Sequence, residues 1–296
     1  MEYVTLNNGV EMPILGFGVY QIPKEETKKC VLDAIKVGFR AIDTAQSYFN
    51  EAEVGEAIAE CGIPREELFI TTKVWIDNYD YENCKKSVME SLKKLRTDYI
   101  DLVLLHQPFA DYYGAYRALE ELYEEGKIRA IGVSNFYPDR LTDICLFGRK
   151  IIPAINQVEV NPLNAQTLAQ ESMEKHGVKM EAWAPFGEGR NGLFTNETLI
   201  TIGKKYNKSA AQVMLRWLIQ RGVIIACKST HIERMEENFN GFDFELSTDD
   251  MKEINNLDTS NSLFFNHQGP KMVEWFDEIV KSRRENEDCR NDKKNW

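Results

Sequence analysis

The sequence has no long apolar run and no concentration of basic residues. None of its windows approaches the ~20 consecutive apolar residues of a membrane span, and the first residues, MEYVTLNNGVEMP, lack the features of a secretory signal. The formal net charge is −11, which disfavours a nucleic-acid partner because such a partner requires a basic face. We therefore expect a protein that binds neither membranes nor nucleic acids.

The six cysteines have no spacing typical of a disulfide framework or a zinc site. They lie at positions 30, 61, 84, 145, 227 and 289, without a CxxC pair or a neighbouring histidine cluster. Cys84 and Cys145 fall on the apolar stripes of predicted helices, where a cysteine behaves as a small hydrophobic residue. We expect free thiols, no bound metal, and the reducing cytoplasm as the location.

The sequence does contain 43% hydrophobic residues, arranged as strands that alternate with helices. Nearly continuous apolar runs predict parallel strands covered on both faces. The predicted strands are 39–43, 68–74, 100–106, 128–134, 154–160, 179–185 and 223–229, with a weaker eighth at 242–246. Eight strand–helix units without a break in composition predict a single α/β domain over residues 1–296, a closed (β/α)₈ TIM barrel.

Three further segments lie outside these units. Asn8-Gly9 between two short apolar runs predicts a β-hairpin, which we expect to plug the N-terminal mouth of the barrel. The long gap between the strands at 179–185 and 223–229 predicts an extra helix at about 196–206. Residues 281–296 carry mixed charge without an apolar period, which predicts a solvated or frayed tail.

Four polar side chains are predicted to meet at one mouth of the barrel. Asp43, Lys73 and His106 fall at the ends of the first three predicted strands. Tyr48 lies in the loop that follows the first of them. Reactive groups in parallel barrels lie where strands end and loops begin. Each residue alone has a structural interpretation, such as a helix cap for Asp43, and it is their joint position that favours catalysis.

Together these side chains can act as a proton donor. The ordinary pKa of a tyrosine is near ~10, and the ammonium of Lys73 should lower it for Tyr48. Asp43 keeps that ammonium charged under partial burial. His106 can donate to a carbonyl oxygen and orient it. The set suits hydride transfer to C=O with protonation of the oxygen.

The chain resembles the aldo-keto reductase family over essentially residues 1–280, in the branch of 2,5-diketo-gluconate reductase and prostaglandin F synthase. The motifs that carry the resemblance are GFRAIDTAQSYFNE (38–51), TTKVW (71–75) and LLHQP (104–108). The resemblance implies an enzyme that reduces small aldehydes or ketones with NADPH and is a monomer. It assigns Tyr48 as the general acid, Lys73 and Asp43 as the groups that tune it, and His106 as the residue that orients the substrate.

The family also implies a cofactor site outside the Rossmann pattern, and no GxGxxG follows a strand here. By resemblance, amide-compatible side chains hold the nicotinamide carboxamide and Trp183 stacks on the ring. Ala184 stands where many members have a serine. The predicted cofactor residues are Gly18, Val19, Tyr20, Asp43, Ser134, Asn135, Gln157, Trp183, Ala184, Pro185, Phe186, Gly187, Arg190, Lys228, Ser229, Arg234, Glu237 and Asn238.

The segment CKSTHIERMEENF (227–239) favours NADPH over NADH. By resemblance Lys228, Ser229 and Arg234 hold the adenosine 2′-phosphate, and a strand end before a helix N-terminus is a natural anion site. The alternative is that Arg234 pairs with Glu237 on an exposed helix face. The glycine-rich segment FGEGRNG (186–192) could fold over the pyrophosphate. Arg190 within it is either a cofactor contact or a solvated residue.

The substrate pocket is predicted to have an apolar wall with one polar substitution. Gln107 stands where many relatives have a tryptophan. The predicted substrate-binding residues are Tyr20, Trp75, His106, Gln107, Phe264 and Phe265. Two other functions use the same residues: a Schiff-base aldolase or isomerase with Lys73 as nucleophile, and a nicotinamide-binding regulatory barrel with little turnover. The first needs a neutral lysine, and the intact set of four residues disfavours the second.

Overall fold

The computed structural model describes residues 1–147 and 149–292, with side chains described as far as Arg284. The chain divides into two compact units, residues 1–263 and 264–296. The first unit holds every strand of the described residues. The second contains one long helix. The expectation of a single domain stays a prediction.

The first unit contains a small antiparallel ribbon and a closed parallel barrel. Strands β1 (Tyr3–Thr5) and β2 (Glu11–Pro13) pair in the ribbon, with Val4 opposite Met12. Eight parallel strands close the barrel, in which β3 pairs with both β4 and β10. They are β3 (Leu15–Gly18), β4 (Ala41–Asp43), β5 (Phe69–Val74), β6 (Ile100–Leu105), β7 (Ile128–Ser134), β8 (Ile155–Glu159), β9 (Lys179–Trp183) and β10 (Ile224–Cys227). The predicted (β/α)₈ TIM barrel is confirmed.

Helices follow the strands and cover the outside of the barrel. In the first unit they are α1 (Lys24–Val37), α2 (Glu51–Glu60), α3 (Tyr81–Lys94), α4 (Tyr112–Glu124), α5 (Pro138–Leu146), α6 (Thr167–Lys175), α7 (Glu197–Tyr206), α8 (Ala210–Gln220), α9 (Ile232–Phe239) and α10 (Thr248–Asn255). The extra helix predicted at about 196–206 is α7. The strands and helices bury one large apolar cluster between them.

The eighth barrel strand is β3, and the prediction of a strand at 242–246 is wrong. Leu15 of β3 lies opposite Ile225 of β10, so the strand that follows the N-terminal ribbon closes the barrel. Residues 242–246 form a loop. Phe242 and Phe244 pack against the main apolar cluster from this loop. The apolar residues that suggested a strand therefore reflect the burial of two side chains from a loop that has no partner strand.

The predicted hairpin plug is present at the bottom of the barrel. Leu6 and Met12 are buried in an apolar cluster with barrel residues that include Phe69 and Leu104. The amide of Asn8 donates to the carbonyl of Arg129 at 2.8 Å. The ribbon is therefore fixed against the N-terminal ends of the strands by apolar packing and a hydrogen bond.

The C-terminal segment that is predicted as a solvated or frayed tail lies largely within a helix, and its solvation stays a prediction. Helix α11 runs from Pro270 to Asp292 and so includes most of residues 281–296. Residues 293–296 lie outside the described part. Mixed charge without an apolar period is compatible with a solvent-facing helix, since good helix formers such as Lys, Arg and Glu need no buried face to favour it.

Three observations bear on the composition-based expectations. None of the described helices is long and apolar enough to span a membrane. The five cysteines with described side chains, from Cys30 to Cys227, are free thiols. Over the same described side chains, no group of three or more His, Cys, Asp and Glu residues has the arrangement of a metal site.

Candidate active site

The C-terminal mouth of the barrel brings Lys73 into contact with Asp43 and Tyr48. Asp43 is the last residue of β4, and Lys73 lies in the neighbouring strand β5. The Lys73 ammonium donates to Asp43 Oδ1 at 2.5 Å and to the carbonyl oxygen of Thr44 at 3.1 Å. It also lies 3.3 Å from the hydroxyl oxygen of Tyr48. The Lys73 side chain is fully buried, so the carboxylate provides its charge compensation.

Tyr48 ends a short 3₁₀ turn (Gln46–Tyr48) between β4 and α2. Burial is the largest influence on its hydroxyl and raises the pKa of Tyr48 to about 12. The charge of Lys73 acts in the opposite direction, as expected, but it does not outweigh burial. Tyr48 is therefore protonated at neutral pH and can give up a proton to an oxygen that becomes basic.

Lys73 itself remains charged in this environment. Burial would lower the pKa of its ammonium, but the charges of Asp43 and then Tyr48 raise it above its ordinary value. A lysine acts as a nucleophile only after it has lost its proton. The geometry therefore does not favour a Schiff-base role for Lys73.

Glu181 is a further ionisable residue close enough to Asp43 and Lys73 to be affected by their charges. It is not among the predicted site residues. It lies in β9 and is 2% exposed. Its Oε2 atom has no hydrogen-bond partner among the described residues. Burial, followed by the charge of Asp43, raises the pKa of Glu181 to about 8, while Lys73 lowers it. A carboxylate within the apolar run 179–185 is the sequence signal that indicates such a residue.

His106 follows β6 and packs edge-on between two aromatic side chains. Its ring centroid lies 5.8 Å from that of Tyr48 and 5.1 Å from that of Trp75, both nearly perpendicular. Its backbone N–H donates to the carbonyl of Val74 at 3.1 Å. The hydroxyl of Ser47 lies 3.3 Å from Nδ1 of the imidazole. The structure thus brings all four predicted catalytic side chains to one mouth.

The ends of β7, β8 and β9 meet in a hydrogen-bonded group beside these residues. Asn135 has left-handed backbone geometry, with a φ of 64°, and its side chain reaches two neighbours. Its Nδ2 donates to the His106 carbonyl at 3.1 Å, and its Oδ1 accepts from Trp183 Nε1 at 2.9 Å. Ser134 donates to the Gln157 carbonyl at 2.9 Å. The predicted carboxamide-binding side chains therefore lie together with the predicted stacking residue.

Gln157 connects this group to the lysine pair. Its Nε2 donates to Asp43 Oδ2 at 2.9 Å. Asp43 thus accepts from the amide through one oxygen and from Lys73 through the other. Both are hydrogen bonds to a charged group, which are stronger than those between neutral partners.

The loop after β9 is held in an unusual backbone geometry. Ala184 has a φ of 49° and its carbonyl accepts from the N–H of Gly187 at 2.8 Å. Pro185 is buried and Phe186 lies 5.6 Å from the ring of Phe194. Positive φ angles recur at five more positions of the loop: Gly187, Glu188, Gly189, Asn191 and Gly192. The segment is therefore a preformed turn rather than an extended linker.

Arg190 points from this turn towards another loop of the same unit. Its guanidinium donates to the Leu263 carbonyl at 2.9 Å and lies 3.6 Å from the carboxylate of Glu188. The arginine is exposed, yet it is engaged with protein groups rather than simply solvated. Its predicted contact with a cofactor stays a prediction.

Lys228 and Arg234 stand exposed at the end of β10 and the start of α9. Neither side chain forms an ion pair or a hydrogen bond with any residue that the structure describes. Over the same residues, the alternative pair between Arg234 and Glu237 does not form. Helix α9 begins at Ile232 without a side-chain cap. Ser229 bonds to the backbone of His231 just before it. Two cations and uncapped helical N–H groups fit a bound phosphate.

The remaining predicted residues differ in their burial and in their contacts with the site. Val19 donates its N–H to the Asp43 carbonyl at 3.0 Å, next to Gly18. Tyr20 is half exposed, with its ring 4.9 Å from that of Tyr48. The Tyr79 hydroxyl donates to the Gln107 carbonyl and accepts from the Gln107 backbone N–H. Asn238 is buried in α9 near Cys227. Phe264 and Phe265 belong to the second unit, so their place in a substrate wall stays a prediction.

A parallel barrel with ionisable groups at the carboxyl ends of its strands has the layout of a TIM-barrel enzyme. A sequence profile described as the Aldo/keto reductase family matches residues 14–259. The chain belongs to this family of oxidoreductases, as its motifs indicate.

Curated and solved relatives agree with this family. The chain is 47% identical to a glyoxal reductase of Bacillus subtilis over 258 residues, 86% of this chain and 92% of that protein. It is 46% identical to a 9,11-endoperoxide prostaglandin H2 reductase of Trypanosoma cruzi over 257 residues, 86% and 90% of the two chains. A crystal structure of a Bombyx mori aldo-keto reductase in complex with NADP superimposes with a TM-score of 0.85. That chain is 35% identical, and 89% of this chain and 95% of that one are covered.

Proposed function

We propose that the protein reduces aldehyde or ketone carbonyls of small substrates with NADPH, with Tyr48 as the general acid. The observation that carries this proposal is the position of the Lys73 ammonium between Asp43 Oδ1, at 2.5 Å, and the Tyr48 hydroxyl, at 3.3 Å. A proton leaving Tyr48 would produce a phenolate next to a cation. The charge that develops during reduction is therefore stabilised where it appears.

Each of the other side chains has one role in this proposal. Asp43 keeps Lys73 charged, and Gln157 holds the second oxygen of that carboxylate. His106 donates to the substrate oxygen and so orients the carbonyl towards both the acid and the hydride donor. The edge-on contacts of its ring with Tyr48 and Trp75 limit its rotation.

The residues at the strand ends fit a nicotinamide cofactor, which supplies the hydride when bound. Ser134, Asn135 and Gln157 offer amide and hydroxyl groups for the carboxamide, and Trp183 offers an aromatic face. Lys228 and Arg234, exposed and unpaired among the described residues, would hold the 2′-phosphate. The NADP that is bound to the silkworm relative supports the same choice.

The names of the relatives support a small or oxygen-rich carbonyl substrate. The bacterial relative is named for the reduction of glyoxal, and Gln107 gives the mouth of this chain a polar group where an apolar side chain is common in the family. We further propose that the protein acts as a monomer in the cytoplasm. A regulatory barrel with little turnover would need none of the contacts that converge on Tyr48.

Replacement of Tyr48 by phenylalanine tests the proposal directly. Tyr48→Phe removes only the hydroxyl, so carbonyl reduction should fall by roughly two to four orders of magnitude, while NADPH binding stays within about twofold. Oxidation of NADPH is followed at 340 nm with glyoxal, aromatic aldehydes and quinones. Tyr3→Phe, at an exposed position of the ribbon, is the matched control. Near-normal turnover of Tyr48→Phe would show that another group supplies the proton.

A further inference from the structure

The hydroxyl of Ser47 lies 3.3 Å from Nδ1 of His106. A neutral imidazole carries one proton, and the partner of one ring nitrogen decides which nitrogen carries it. A hydroxyl can either donate to a bare nitrogen or accept from a protonated one. The two arrangements leave opposite chemistry at Nε2, which donates in the first case and accepts in the second.

The segments that carry the two side chains are held by other hydrogen bonds. On the Ser47 side, the backbone N–H of Tyr48 donates to the Ala45 carbonyl at 3.0 Å. The side-chain Oε1 of Gln46 accepts from the Trp75 N–H at 3.0 Å and from the Asn78 amide at 2.9 Å. The carbonyl of His106 accepts from Asn135 Nδ2 at 3.1 Å. The fold therefore places the Ser47 and His106 segments so that the hydroxyl and the ring come within reach of each other.

We propose that Ser47 is a positioning residue that donates its hydroxyl proton to Nδ1 of His106 and so keeps the ring proton on Nε2. This inference rests on the proposed function, in which Nε2–H donates to the substrate carbonyl. The same 3₁₀ turn then supplies two groups. Tyr48 is the proton donor, and Ser47 determines which ring nitrogen of His106 carries the proton. Hydrogen bonds of this kind are often long in the free enzyme and shorten in the reactive complex.

The protonation pattern of His106 can be read without any turnover. The sequence has four histidines, so protein labelled with ¹⁵N-histidine gives few ring signals, and His106→Gln identifies the one of interest. In the wild type we expect the ¹⁵N chemical shift of an unprotonated nitrogen that accepts a hydrogen bond at Nδ1. At Nε2 we expect the shift of a protonated nitrogen. Both are measured at pH 8 with and without NADPH. In Ser47→Ala the Nδ1 signal should move away from its wild-type position, because the Ser47 donor is lost. A wild-type Nδ1 that carries the proton would overturn the proposal.

Kinetics give the second readout. One hydrogen bond to a neutral group is at stake, so Ser47→Ala should lower kcat/KM for carbonyl reduction about two- to tenfold. Ser47→Thr keeps the hydroxyl and should restore most of the loss, whereas Ser172→Ala on α6 should have no effect. Loss of activity in Ser47→Thr equal to that in Ser47→Ala, with both variants folded by circular dichroism, would contradict a role for the hydroxyl.

The two readouts separate failure of this inference from failure of the proposed function. A wild type that reduces no carbonyl, with His106 protonated on Nε2, would reject the function and leave the hydrogen bond in place as a structural contact only. A wild type with full reductase activity and an unchanged Nδ1 signal in Ser47→Ala would reject the role of Ser47 alone.

Discussion

At the scale of single residues, one buried ammonium serves three acidic groups. Lys73 contacts Asp43 and Tyr48 directly, and its charge also lowers the pKa of the nearby Glu181. Removing one partner of such a buried pair leaves an uncompensated charge, which typically destabilises a protein by about 3–5 kcal/mol. The same lysine therefore supports both the chemistry and the fold, and variants of Lys73 are poor tools for separating the two.

Glu181 offers a cleaner measurement because its protonation state changes within an accessible pH range. Its pKa is raised to about 8 by burial and by Asp43, whereas an unfolded chain loses this proton near ~4.3. Between these values the folded protein retains the proton and the unfolded chain does not. The free energy of unfolding should therefore fall as pH rises through this window, by at most about 1.4 kcal/mol per pH unit.

In Glu181→Gln the pH dependence of the free energy of unfolding that comes from Glu181 disappears. Relative to the wild type, the variant should gain stability from about pH 5 to pH 8 and keep a constant difference above that. The measurement is urea denaturation across pH 5–9, followed by circular dichroism. Glu25→Gln, exposed in α1, is the control. Parallel curves for wild type and Glu181→Gln would mean that Glu181 is ionised throughout this range.

The residues that converge on the mouth could be predicted because three of them lie at or near the ends of predicted apolar strands. Asp43, Lys73 and His106 are visible as polar endings of such runs. Ser47 and Glu181 are not visible in the same way, since their importance depends on neighbours from other strands. The pKa of Tyr48 also depends on burial, which a count of nearby charges does not reveal.

At the scale of secondary-structure elements, composition more than length decided which strands could be recognised. Strands β4 and β10 have only three and four residues, and both lie in apolar runs that were predicted as strands. Strand β3 also has four residues, but two of them are glycine, which has low strand propensity. A Cβ at Gly16 would lie 3.3 Å from that of Ala41 and 3.4 Å from the Ile225 carbonyl. The close packing that favours glycine at this position therefore also hides the strand from a propensity-based prediction.

The positive charge of Arg234, near the start of α9, can be tested directly for its role in cofactor binding. If Arg234 binds the 2′-phosphate, Arg234→Ala should weaken NADPH by about 10- to 100-fold, because hydrogen bonds to charged groups contribute roughly 1.5–3 kcal/mol. NADH should be nearly unaffected, since its ribose carries a hydroxyl at that position. Both affinities are measured by titration of tryptophan fluorescence.

Arg117→Ala, on the exposed face of α4, controls for the loss of one positive charge from a protein of net charge −11. Equal weakening of NADPH and NADH in Arg234→Ala would place the arginine elsewhere on the cofactor. A wild type that prefers NADH would reject the phosphate site itself.

At the scale of the whole molecule, the barrel depends on the ribbon that covers its base. Met12 is almost completely buried among barrel side chains. Met12→Ala leaves a cavity there and should lower the free energy of unfolding by about 2–5 kcal/mol. Met89→Ala, on the exposed side of α3, should change it by less than about 1 kcal/mol.

Both variants are compared by urea denaturation and by NADPH oxidation. Because the ribbon lies at the opposite end of the barrel from Tyr48, kcat of folded Met12→Ala should stay within about twofold of the wild type. A marked loss of kcat at unchanged stability would contradict this separation of support and chemistry.

The pairing of β3 with β10 has a consequence for how the chain is made. Residue 15 meets its partner at residue 225, so a chain still on the ribosome cannot complete the cylinder until some 210 further residues have been added. Before then β3 to β9 can form only an open sheet with two unpaired edges. Such edges join readily to other chains. Truncation anywhere before Cys227 should therefore give material that aggregates or binds chaperones instead of a smaller active protein.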